Sequence, residues 1–127
     1  MRERAVPPSP LSLLGLVRHM AEVESGWFRT CLAGEVAEPL YASDEDPDAD
    51  FNGVDEADPQ ADTARWREEC EHARSVLSEM GSLDERGKGR NQEFSVRWVL
   101  VHMIEEYARH NGHADFLRER IDGVTGD

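Results

Sequence analysis

Three blocks of apolar residues recur with helical spacing, and long polar stretches studded with Pro and Gly separate them; this pattern constrains the fold more than anything else in the 127-residue sequence. Side chains three and four apart share a helix face, so such spacing buries a stripe, whereas a half-buried strand would alternate with a period of two. No segment alternates convincingly, and no internal repeat is visible. In the first block the stripe is Leu13, Leu16, Met20, Val23, Trp27 and Cys31, with His19 inside it. Ser9 and Pro10 read as cap and first helical residue, and Gly34 as the stop, which predicts helix A over 9–33. In the second block Trp66, Cys70, Ala73, Leu77 and Met80 form a core seam, predicting helix B over 62–80. The third block, capped by Ser95, predicts helix C over 95–121, with Gly112 as a place where it would kink or end. Residues 35–61 read as loop, broken by Pro39, Pro47 and Pro59. The expectation is one all-α domain spanning 1–127, a helical bundle.

Composition narrows the function. With 14 basic against 27 acidic residues the formal net charge is −13, which argues against nucleic acid and against an anionic membrane surface. No stretch reaches the roughly 18 apolar residues of a membrane span. Met1-Arg2-Glu3-Arg4 leads into prolines and not into an apolar segment, so no signal peptide is read. Cys31 and Cys70 lie 39 residues apart without a C-x-x-C pair, as two reduced thiols of a cytoplasmic protein would.

The chemistry concentrates on helix C. His102, Glu106, His110 and His113 stand at i, i+4, i+8 and i+11, on one face. Neighbours four apart are about 5–6 Å apart at Cβ and can share an ion, whereas His102 and His110 are about 12 Å apart along the axis and cannot easily do so. The usable unit is therefore a pair plus a ligand from another helix, and His19 is the natural third. Spacing alone does not choose between His102/Glu106 and Glu106/His110, and such a row is often only a solvated face. Two His and one carboxylate leave coordination positions open, the pattern of a catalytic centre. Asp48-Ala-Asp50-Phe-Asn52-Gly53 opens like a calcium loop, but the twelfth position is Pro59 where a bidentate Glu belongs, so it reads as plain acidic loop. Glu68 and His72 read as surface. Gly87-Lys88-Gly89 lacks the context of a phosphate loop and reads as a flexible turn.

Leu13-Leu14-Gly15-Leu16-Val17-Arg18-His19-Met20 with Val23-Glu24 and Trp27-Phe28 resembles the second helix of DinB-like proteins, and Val99 through His113 resembles their metal-bearing third helix. The branch is the actinobacterial one related to mycothiol-dependent maleylpyruvate isomerase, and the likeness covers most of 9–121. The resemblance implies an up-down-down-up bundle with ligands His19, Glu106 and His110, with His113 near the open coordination side and His102 as second support or packing. It implies a divalent ion, with zinc first and nickel or manganese tolerated by the same donors, and a low-molecular-weight thiol activated for S-transfer onto an electrophile or for isomerisation. The family's long first helix has no counterpart here, since only eight residues precede helix A. The expectation is an N-terminally short chain, or a homodimer that covers the gap. The alternative reading is a non-catalytic or degenerate bundle acting through protein contacts.

Overall fold

The computed structural model describes residues 1–90 and 93–126, so Asn91 and Gln92 of the second predicted loop lie outside the described residues. The element order is α1 (Leu13–Glu24), continued by a π-helical segment (Ser25–Leu32), then α2 (Ala49–Asn52), a 3-10 turn (Gly53–Asp55), α3 (Pro59–Glu79) and α4 (Val96–Asp122). No strand forms among the described residues; one isolated bridge pairs Arg86 with Ser95. None of these helices is long and apolar enough to cross a membrane.

α1 is the central helix. α1 and its π-helical continuation bring Met20, Phe28 and Leu32 into one core with Ala73 and Val76 of α3 and Val96, Val99 and Met103 of α4. The apolar stripe expected on helix A is only part of its buried surface: Trp27 packs on Phe94, Trp98 and His102, and Leu16 on Leu117. A helix with partners on two sides needs two apolar faces, and the Leu14, Ala21, Phe28, Leu32 face escaped the single-stripe reading.

Several boundaries differ from expectation. Ser12, not Ser9, caps α1, its hydroxyl accepting from Gly15 N at 3.0 Å. The last two turns of predicted helix A widen into a π-helix, closed by Ala33 N donating to Phe28 O, five residues back. α3 starts at Pro59, with Asp58 as cap accepting from Gln60 N, because the first helical position needs no N–H and suits proline. Part of the predicted 35–61 loop folds into α2 and the 3-10 turn. α4 runs straight past Gly112 and ends on Gly123 in the left-handed conformation, while Ser95 caps its start as expected.

Gly87-Lys88-Gly89 is not a free turn. Its amides close on the end of the π-helix, with Lys88 N donating to Leu32 O and Gly89 N to Cys31 O, both at 3.0 Å. A Cβ on Gly87 would sit 2.4 Å from the Cys31 carbonyl oxygen. The outer face of α4, by contrast, is open: Val101 is 51%, Ile104 69% and Phe116 70% exposed. Glu69 is 1% exposed and ion-paired with Arg29 at 2.6 Å and Arg65 at 2.9 Å.

Two glycine substitutions should move stability in opposite directions. Gly112 has open space where a Cβ would stand. Gly112→Ala should therefore stabilise by about 1 kcal/mol, read as a melting temperature roughly 3–5 °C higher. Gly87→Ala should destabilise by about 1–3 kcal/mol, because backbone and not a movable side chain fills the space. Thermal denaturation followed by circular dichroism measures both.

Candidate metal centre

α1 presents His19 and α4 presents Glu106 and His110 into the space between the two helices. His19, Glu106 and His110 each offer one ligand atom, and the three atoms all lie within 4.8 Å of one another. Glu106 Oε2 is 3.2 Å from His110 Nε2 and 3.9 Å from His19 Nε2. Ligand atoms held about 2.1 Å from a tetrahedral ion stand about 3.4 Å apart, so the two measured gaps bracket what an ion needs. The imidazoles meet edge to face with centroids 4.7 Å apart. A cleft of about 490 Å³ opens on these groups, lined also by Leu11, Arg109 and His113. Nitrogen and carboxylate donors in this number fit a divalent ion with open positions.

The outer nitrogens also have partners. His19 Nδ1 is 2.8 Å from Asp50 Oδ2, and the Phe51 ring stacks on the imidazole at 5.0 Å. His110 Nδ1 lies 3.2 Å from His113 Nδ1. A His110 tautomer protonated at Nδ1 would leave its Nε2 lone pair on the Glu106 side, free for an ion. Desolvation by burial, then the neighbouring His19, pushes the His110 pKa below its ordinary value, which favours the neutral ring that a cation requires. His102 sits differently: it stacks on Trp98 at 4.9 Å, packs on Trp27, and approaches the other carboxylate oxygen, Glu106 Oε1, at 3.5 Å. Spacing left two pairs open on this helix; in space the His110 side faces His19.

Asp50 and Phe51 escaped sequence reasoning because they lie 31 and 32 residues from His19, within an acidic run that pointed at most to calcium. A second polar group was missed for another reason, since two of its members, Trp66 and Cys70, read as part of an apolar seam. Trp66 Nε1 donates to Tyr107 Oη at 3.0 Å, and Tyr107 Oη donates to Glu24 Oε1 at 2.7 Å, with Cys70 Sγ 3.6 Å from the same phenol oxygen. Glu24 is buried, and desolvation raises its carboxyl pKa while the Tyr107 hydrogen bond opposes the rise.

A family model described as Mycothiol-S-transferase matches residues 1–123. No curated protein and no solved structure matches the chain.

Glu24 generates a signed pH prediction. Its folded-state pKa lies above the ordinary 4.5, so the folded protein holds this proton more tightly than the unfolded chain does. The favourable contribution is complete below the unfolded value and lost as pH rises through the folded one. Glu24→Gln keeps an acceptor for Tyr107 and removes the buried charge. It should melt higher than wild type at pH 7, with the difference shrinking toward zero below pH 4.5, in paired melting curves across that range.

Proposed function

The chain belongs to the mycothiol-S-transferase family, and from that premise we propose that it holds one divalent ion on His19, Glu106 and His110 and transfers a low-molecular-weight thiol, mycothiol by family, onto a small electrophile. The observation that carries this reading is the approach of the three ligand atoms to within 4.8 Å of one another across two helices. An ion bound there would supply Lewis acidity, lowering the pKa of a thiol so that thiolate forms at neutral pH.

The chain's own residues have separable roles. Glu106 contributes the formal negative charge of the donor set, and His19 and His110 contribute neutral nitrogens. His113 fixes the ring of His110 through their Nδ1 contact. His102, held between Trp27 and Trp98, bounds the set on the N-terminal side of Glu106. Leu11 and Arg109 form the rest of the cleft wall, giving a substrate one apolar and one cationic neighbour. Zinc suits these donors, and nickel and manganese are tolerated by similar sets. Reduced Cys31 and Cys70 accord with a cytoplasmic location.

A second reading draws on α4. Its open face carries Val101, Ile104 and Ala108, with Arg97 toward one end and Asp115 and Glu119 toward the other. Antiparallel pairing of two such helices would bury the apolar row and set Arg97 opposite the acidic end, so a homodimer could close this side. Sedimentation velocity should then show a dimer that Ile104→Glu converts to monomer; a wild-type monomer would remove this reading and leave the metal centre untouched.

For the leading reading, metal content by mass spectrometry of the native protein should give about one divalent ion per chain. The His19→Ala, Glu106→Ala, His110→Ala triple variant should carry none, and thiol-adduct formation should fall by about 100-fold or more. Equal zinc affinity in the triple variant and wild type would sink the proposal.

A further inference from the structure

A histidine ligand is useful only if its ring is held with the lone pair aimed at the ion, and the group that holds it is usually a carboxylate or carbonyl on the far nitrogen. For His19 that group is Asp50, which is 6% exposed and lies 2.8 Å from Nδ1. The other oxygen of Asp50 accepts from Phe51 N at 2.9 Å, so its carboxylate is fixed from both sides. Phe51 covers one face of the imidazole, and Gly15 makes room for it: a Cβ there would lie 3.0 Å from Phe51 Cδ1.

Asp50 belongs to a helix of four residues, too short to hold position unaided. What anchors it is the residue beside His19. Arg18 Nε donates to Asp50 O at 2.9 Å and Arg18 Nη2 to Ala49 O at 3.1 Å, while Nη1 pairs with Asp62 at 3.1 Å. Arg18 therefore fixes the backbone of the acidic loop, and the loop returns a carboxylate to His19.

We propose that Asp50 is the positioning residue of the metal centre, selecting the Nδ1–H tautomer of His19 so that Nε2 faces Glu106, and that Arg18 sets Asp50 in place. The inference rests on the reading of His19, Glu106 and His110 as ligands. It assigns to the acidic segment a role in metal affinity that is independent of its charge alone.

Zinc affinity of the full chain, by competition with a chromophoric chelator, tests it, together with the ligand-field spectrum of the cobalt(II) form. Asp50→Ala should weaken zinc binding by about 10–100-fold and alter the cobalt spectrum. Asp50→Asn keeps an acceptor oxygen and should retain the spectrum with a smaller loss. Asp44→Ala removes the same charge from an exposed position of the loop and should bind as wild type does. If Asp50→Ala fails to fold, the Asn variant carries the test. Zinc binding within twofold of wild type in every folded Asp50 variant overturns the inference and leaves the ligand reading standing. A wild type without zinc affinity, or a triple ligand variant that binds equally well, overturns both.

Discussion

The buried guanidinium of Arg18 is the interaction on which the arrangement around the site depends. It reaches α3 through Asp62, α2 through two backbone carbonyls, and lies 3.9 Å from the centroid of the Tyr41 ring. Removing a charge from water is expensive unless nearly every donor is answered, and here three nitrogens are. Tyr41 in turn donates to the second oxygen of Asp62. Glu22, one turn further along α1, accepts from the amides of Leu40 and Tyr41 and fastens the same loop again. A long connection is thus set down by polar contacts from α1, joined by Arg2 and Arg4 of the N-terminal segment, which reach Val54 O and Asp55.

This also explains where the acidic surplus goes. A formal charge of −13 suggests a uniformly solvated anionic surface. Yet Glu24, Asp50, Asp62 and Glu69 are all buried, and each is met by a hydroxyl, an imidazole or a guanidinium. Part of the negative charge is internal structure, built of groups whose pairing specifies which segments meet.

Legibility in the sequence followed the physics of each element. α4 could be read nearly to the residue because its cap and its periodicity agree, Gly112 notwithstanding, and the His/Glu row on it is a matter of helical geometry alone. The start of α3 was misread because Pro59 was weighed as a breaker when it occupies the one helical position that suits proline. The π-helical widening leaves no compositional trace, since the same residues satisfy an α-helical pattern. The partner of His19 within its own loop could not be read at all: contacts between Arg18, His19 and Asp50 span about thirty residues, and nothing local marks Asp50 out from its acidic neighbours. Glu69 illustrates the same limit, a charge on a polar-looking helix face that Arg29 makes interior.

The attachment of Gly87-Lys88-Gly89 to the end of the π-helix is made by backbone amides and carbonyls. Main-chain bonds are blind to side-chain identity. This corner of the molecule can therefore accept wide sequence drift at Lys88 and its neighbours while keeping its shape, provided that positions 87 and 89 stay without a Cβ. The acidic loop, held by named side chains, has the opposite character. Two connections of similar appearance in the sequence thus differ in evolutionary freedom, one constrained by space alone and the other by chemistry.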